Sequence, residues 1–157
     1  MFELEPVTPS GFNMPIPEEQ SEYVTQFAFS RDVAQNIKRQ ADWTCEETGK
    51  KAADGWRLEA AHDCHNKHYP YYNNEVNGKC LCIASHLKQH IKILETCPAH
   101  MKGWAKASIK LIAKRAFTEG LRYSKHYFEY PLDIIDDRDE VVNILVDGGL
   151  DPEEYIF

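Results

Sequence analysis

The apolar and polar positions of the chain predict two short strands separated by a loop. Residues 57–61 (RLEAA) and 79–83 (KCLCI) are typical of short strands. Residues 63–74 (DCHNKHYPYYNN) are polar and aromatic and contain one proline, which favours a loop. Asn77-Gly78 indicates a tight turn before the second strand.

Four further stretches carry the start or stop signals of helices. They span about 31–41 after an N-cap at Ser30, about 85–94 after a cap at Ser85, about 98–119 from Pro98 to Gly120, and 139–147 before Gly148-Gly149. Val33, Ile37 and Ala41 give the first of them an apolar stripe. Strands and helices together predict a mixed α+β fold.

The composition is that of one globular domain with extensions. The chain has 157 residues, of which 43% are hydrophobic and 27% charged. Residues 1–25 hold four of the eight prolines and show no clear period, so we expect an extended N-terminal arm over residues 1–29. The domain itself is expected over residues 30–130, followed by an acidic C-terminal tail over residues 131–157.

Targeting signals and cysteine usage indicate a cytoplasmic protein with no membrane partner. No apolar run approaches the roughly 20 residues of a membrane span, and the first ten residues lack the features of a signal peptide. The five cysteines are odd in number, and Cys80 and Cys82 are too close for an ordinary disulfide. Thiols or metal ligands are the better interpretation.

The net charge of −7 conceals a basic middle between two acidic ends. Residues 1–50 carry 4 Lys/Arg against 9 Asp/Glu, residues 51–130 carry 13 against 7, and residues 131–157 carry 1 against 9. Because binding to phosphate depends on the facing surface and not on the total charge, the middle can still bind nucleic acid.

Four residues of the middle have the spacing of a metal-assisted hydrolytic site. Asn77 follows His62 by fifteen residues, His86 follows nine later, and His90 four after that. Residues four apart share one face of a helix, so His86 and His90 can bind one ion. A neutral histidine can take a proton from water, and an asparagine amide can orient that ring or hold its loop. The order is therefore coherent as a site for metal-assisted phosphodiester hydrolysis.

Residues 43–92, about a third of the chain, resemble the HNH, or ββα-metal, endonucleases. The motifs that carry the resemblance are Cys45-x2-Thr48-Gly49, Leu58-Glu59-Ala60-Ala61-His62, Asn77-Gly78, Leu81-Cys82-x2-Ser85-His86 and His90. The resemblance implies a small ββα-metal core flanked by helices, one divalent ion (Mg, Mn, Ni or Zn) and DNA as the substrate. By analogy, a phage or mobile element would be a fitting source.

The resemblance also implies a role for each matched residue. His62 would be the general base, and Asn77 would hold that base or its loop. His86 and His90 would bind the metal ion and through it the scissile phosphate. Glu59 would orient a neighbouring side chain.

Two departures from the family pattern bear on metal binding. The family usually has a metal-binding Asp or His before the catalytic histidine, where this chain has Ala61. Four-cysteine members hold a structural zinc with two CxxC pairs, whereas Thr48 and Ser85 replace the second cysteines here. Cys45 and Cys82 remain as possible structural metal ligands. Burial as small hydrophobic side chains is the alternative.

Several alternatives stay open from the sequence. Lys102, Lys106 and Lys110 recur every four residues and either contact DNA or form a solvated helix face. His65 and His68 lie in the loop with Cys64 and either form a second metal cluster, serve as polar groups of the loop or contact phosphate near the site. The alternative to the nuclease is a catalytically degenerate HNH scaffold that binds DNA or a protein partner, the latter through the acidic tail.

Overall fold

The structure, a computed structural model, describes residues 28–66, 68–117 and 134–157. These ranges form a mixed α+β fold with five α-helices and one two-stranded antiparallel sheet. The helices are α1 (Arg31–Gln40), α2 (Ile83–Thr96), α3 (Lys102–Arg115), α4 (Arg138–Asp147) and α5 (Pro152–Tyr155), and the strands are β1 (Leu58–His62) and β2 (Gly78–Cys82). No helix in these ranges has both the length and the apolar character that crossing a membrane requires.

The two strands pair over their whole length and lead directly into α2. Leu58 lies opposite Cys82, and His62 lies opposite Gly78. Both strand predictions are confirmed to within one residue. α2 begins at the residue after β2 and packs against α3 and β1, while α1 lies against both strands. The end of β1 therefore lies next to α2.

Helix caps explain why the sequence predicts the start of α1 and the end of α4 correctly. The Ser30 hydroxyl accepts a hydrogen bond from the backbone N–H of Val33 at 3.3 Å and starts α1 as predicted. Ile37 on its apolar stripe is buried in the main core. Gly148 and Gly149 end α4, also as predicted, and Gly149 has a positive φ of 76°. Most of the predicted arm and the predicted end of the third helix lie outside the described residues.

Two predicted helix starts are wrong. α2 begins at Ile83 and not after Ser85, because the Ser85 hydroxyl is engaged by two cysteine thiols. Pro98 precedes a short 3-10 turn, and α3 begins only at Lys102. Ser85 thus contacts cysteine side chains inside α2, and Pro98 caps the 3-10 turn instead of starting α3.

The predicted turn before β2 is present, but it lies over Glu75–Asn77 and does not include Gly78. Asn77 ends a 3-10 turn, and Gly78 begins β2 with an extended φ of −105°. A Cβ atom at Gly78 would lie 2.2 Å from Cδ1 of Ile37. Glycine is therefore required here by the close approach of α1 and not by the backbone conformation.

The described part of the predicted acidic tail, residues 134–157, packs onto the main core. Val141, Leu145 and Tyr155 are buried in the same apolar cluster as residues of β2 and α2. Asp137 pairs with the buried Arg57 at 2.8 Å, and the Arg57 guanidinium also donates to carbonyl oxygens at the end of α3. This segment is thus an integral part of the domain.

Candidate functional site

A cavity of about 370 Å³ opens between β1, α2, α3 and the loop that follows β1. Four histidines line it: His62 from β1, His65 from the loop, and His86 and His90 from α2. All four are buried, with exposed fractions between 1 and 9%. The structure therefore brings the predicted base and both predicted metal ligands into one space and adds His65.

His62 is held by two aromatic rings and a hydrogen bond. Its imidazole stacks between Phe29 and Tyr72, with ring centroids 3.9 and 4.1 Å away. His62 Nε2 lies 2.9 Å from Asn73 Oδ1, which can only accept a hydrogen bond. Nε2 therefore carries the proton, and in the neutral ring Nδ1 is the atom with the lone pair. In this tautomer Nδ1 is the nitrogen that can act as a general base.

Glu59 connects His86 to Arg115. Glu59 Oε1 lies 2.7 Å from His86 Nδ1 and 2.9 Å from Arg115 Nη1. Burial opposes ionisation of Glu59, but the hydrogen bond from His86 and the charges of both partners hold the pKa of this carboxyl below its usual value. The ionised carboxylate only accepts hydrogen bonds, so His86 Nδ1 donates, and in the neutral ring Nε2 is the nitrogen that can bind a ligand. Histidines that bind metal commonly have such a carboxylate on the other ring nitrogen.

The remaining imidazoles form one continuous cluster around His90. The ring centroids of His86 and His90, one helical turn apart on α2, are 4.9 Å apart. The His65 ring lies at the same 4.9 Å from His90 and 6.0 Å from His62. The indole of Trp104 on α3 lies 6.0 Å from both His65 and His90. α3 thus packs against the cluster.

Asn77 is fully buried and does not line the cavity. Its Oδ1 accepts a hydrogen bond from the backbone N–H of Cys64 at 2.7 Å. Its Nδ2 donates to the carbonyl oxygens of Cys64 and Tyr72 at 3.0 and 2.9 Å. These contacts anchor both ends of the loop segment that carries His65, and the hydrogen bonds of the Asn77 side chain do not include His62.

Ala61 faces away from the cavity. It is only 1% exposed and belongs to the main apolar core, whereas Ala60 and His62 on either side line the cavity. Successive side chains of a strand point to opposite faces of the sheet. A ligand at position 61 would therefore point toward the core in this fold.

The thiols of Cys45 and Cys82 share a hydroxyl. Their Sγ atoms lie 3.6 and 3.4 Å from Ser85 Oγ. Burial opposes ionisation of Cys45, but hydrogen bonds from Thr48, the backbone of Cys82 and Ser85 lower its pKa to about 7. Among the described residues, no three His, Cys, Asp or Glu side chains are arranged to hold a metal ion as they stand. Contacts between thiol and hydroxyl groups hold four residues together, which we call the knuckle (Cys45, Thr48, Cys82 and Ser85).

The lysine stripe of α3 points away from the cavity. α3 presents Trp104 and Ser108 to the cavity, and at 100° per residue Lys102, Lys106 and Lys110 lie on the opposite side of the helix. Lys102 donates to a carbonyl oxygen of α2, Lys110 lies over an aromatic ring of α5, and Lys106 is exposed. The cation that does line the cavity is Arg115.

Three residues around the cavity are not among the site residues predicted from the sequence. Phe29 could have been found as the apolar residue before the Ser30 cap, a position that often packs against the following helix. Arg115 could have been found from the helical projection of α3, since it shares a face with Trp104. Asn73 carries no signal, because neighbouring polar residues in the loop resemble it.

Comparisons with protein-family models, with curated proteins and with solved structures each find no match for this chain. Any functional assignment therefore rests on the residues of the cavity. The observations that bear on it are the order β1–β2–α2, the cluster of four imidazoles and the contact of Glu59 with His86.

Proposed function

We propose that the chain is a metal-dependent endonuclease with an HNH, or ββα-metal, site that hydrolyses DNA phosphodiester bonds. His62 is the general base in this proposal, and His86 and His90 bind one divalent ion. The observation that carries it is the 2.7 Å contact between Glu59 and His86 Nδ1, which directs the other nitrogen of a cavity histidine to a ligand.

The donor set fits a divalent transition ion. His86 and His90 offer two buried imidazoles from one face of α2, at the wall of the cavity. Imidazole suits zinc and nickel, whereas magnesium and manganese prefer oxygen ligands. A bound ion would supply Lewis-acid stabilisation of the phosphate and of the leaving oxygen.

His62 has the fixed orientation that a general base needs. Phe29 and Tyr72 prevent its ring from tilting, and Asn73 selects the tautomer with the lone pair on Nδ1. A base held in one rotamer and one tautomer takes a proton from water without first reorganising. Glu59 and Asn77 are positioning residues in this scheme, because each acts through a neighbour.

Arg115 supplies positive charge at the cavity. Its guanidinium lines the cavity, and its side chain is 30% exposed while it pairs with Glu59 at 2.9 Å. Guanidinium groups bind phosphate oxygens in a forked geometry. In the proposed complex Arg115 contacts the DNA backbone beside the scissile phosphate, and any contribution of the α3 lysines comes from outside the cavity.

Plasmid cleavage by the purified protein tests the proposal. We expect nicking or linearisation that depends on a divalent ion when Mg²⁺, Mn²⁺, Ni²⁺ and Zn²⁺ are compared. His62→Ala should abolish cleavage with an unchanged circular dichroism spectrum. His100→Ala is the matched control, since His100 lies on the exposed 3-10 turn before α3 and should leave cleavage intact. Full activity of His62→Ala would refute the role of the base.

A second candidate is a scaffold that binds DNA or a protein without cutting. The orientation of Ala61 into the core favours it, because the position that usually adds a metal ligand is turned away from the cavity. The acidic side chains of α4 and α5 that remain exposed, such as Asp139, Glu153 and Glu154, could then contact a basic partner. Stable DNA binding without cleavage under any of the four ions would favour this alternative.

A further inference from the structure

We propose that His65 supplies a third imidazole to the ion held by His86 and His90. The inference deepens the proposed function and rests on it, since it assumes a metal ion between those two residues. His65 is only 1% exposed, lines the same cavity and has its ring centroid 4.9 Å from that of His90. The site would then be a three-histidine centre.

Two of the three pairwise ring separations are those of imidazoles that share an ion. With metal–nitrogen bonds of about 2.0–2.1 Å and tetrahedral angles, two bound imidazoles have ring centroids about 5 Å apart. Both the His65–His90 and the His86–His90 pairs lie at 4.9 Å. Among the described residues no three such side chains are arranged to hold an ion as they stand, so binding requires the imidazole rings to reorient toward a common point.

The local structure explains why the third ligand comes from position 65. Strand alternation turns Ala61 toward the core, whereas the loop after β1 places His65 in the lining of the cavity. Asn77 holds both backbone groups of Cys64, the residue before His65. His65 therefore projects from an anchored backbone, as a metal ligand should.

Three imidazoles also narrow the choice of ion. A site with three nitrogen donors and an open fourth position is typical of catalytic zinc and suits cobalt and nickel, whereas magnesium would lack its oxygen ligands. Glu59 supports one of the three rings through His86 Nδ1. We therefore expect the protein to prefer zinc-like ions over Mg²⁺.

Cobalt binding followed by absorption tests the inference without any measurement of cleavage. His65→Phe keeps an aromatic ring but removes the donor, and we expect it to weaken Co²⁺ binding more than about 10-fold. His65→Cys places a thiolate at the same position, and we expect a new thiolate-to-Co²⁺ charge-transfer band in the near ultraviolet. His68→Cys is the matched control, because His68 lies in the same loop but does not line the cavity. It should show no such band.

The possible outcomes separate the two proposals. If the wild-type protein binds no Co²⁺, Ni²⁺ or Zn²⁺, the proposed metal-dependent function fails and this inference fails with it. If the wild-type protein binds Co²⁺ but His65→Phe binds equally well, or His65→Cys shows no new band, His65 is a packing residue and only this inference is overturned.

Discussion

Removal of the Asn77 side chain tests how the cavity loop is held. The carboxamide makes three buried hydrogen bonds, one from the backbone N–H of Cys64 and two to the carbonyl oxygens of Cys64 and Tyr72. Asn77→Ala removes all three hydrogen bonds, and the alanine side chain provides no replacement partner for these backbone groups. The loop between β1 and β2 would lose the contacts that anchor both ends of its His65 segment.

The three bonds set the size of the effect. A typical intramolecular hydrogen bond contributes about 1 kcal/mol net, and a buried partner left without one costs about 1–3 kcal/mol. For Asn77→Ala we therefore expect a loss of about 3–5 kcal/mol in the free energy of unfolding. Domains of this size have about 5–15 kcal/mol in total, so the variant should fold with a smaller margin.

Urea unfolding measures the loss. With a slope of about 1–3 kcal/mol per M, the midpoint for Asn77→Ala should fall by more than about 1 M at an unchanged slope. Asn74→Ala is the control, because Asn74 accepts one exposed hydrogen bond from the N–H of Val76 at 3.0 Å. Its expected loss is below about 1 kcal/mol.

Equal midpoints for Asn77→Ala and Asn74→Ala would contradict the assignment of Asn77 as the loop anchor. Asn77→Asp adds a test of direction. A carboxylate can still accept from the N–H of Cys64, but it opposes the two carbonyl oxygens that the amide donates to. Protonation returns a donor, so the deficit of Asn77→Asp relative to wild type should shrink as the pH falls.

Three further predictions concern the packing, the acid response and the knuckle. Gly78→Ala should destabilise the protein by about 1–3 kcal/mol, because the added Cβ would overlap the side chain of Ile37 on α1. Gly103→Ala is the control: its Cβ would meet nothing within 4 Å, so it should stabilise the protein slightly. The urea midpoints of the two variants test this difference. The pKa of Glu59 is lowered from 4.5 by folding, so its stabilising contribution is present above pH 4.5 and is lost as the pH falls through the lower folded value. Glu59→Gln should therefore flatten the fall of the melting temperature below pH 4.5, and a parallel fall in both proteins would contradict this. Thr48→Cys combined with Ser85→Cys should create a four-thiolate site that binds one Zn²⁺ and raises the melting temperature, as mass spectrometry and thermal unfolding with and without chelator would show.

The elements of the fold that were predictable depend on local signals. The strands follow from short apolar stretches, α1 from its Ser30 cap and α4 from the glycines that end it. The errors at Gly78 and Ser85 arise where a distant part of the chain decides, since Ile37 lies 41 residues before Gly78 and Cys45 lies 40 before Ser85. Local chemistry cannot reveal which distant neighbour a residue will meet.

The same distinction between local signals and distant contacts applies to the residues of the candidate site. His86 and His90 share a cavity because a helix places residues four apart on one face, and His62 joins them because β1 ends beside α2. The direction of a loop side chain depends on the hydrogen bonds that hold the loop. The place of His65 therefore follows from the contacts of Asn77, and only the structure shows them together.

Position 61 shows how these two kinds of information combine. Counting residues from His62 makes Ala61 a missing metal ligand, and the site then has two donors. The pairing of β1 with β2 turns that position into the core, so a side chain there points away from the cavity whatever its chemistry. The relevant count is of donors that face the cavity, and it includes His65 and excludes residue 61. Within the proposed function, that count makes binding of a zinc-like ion compatible with alanine at this position.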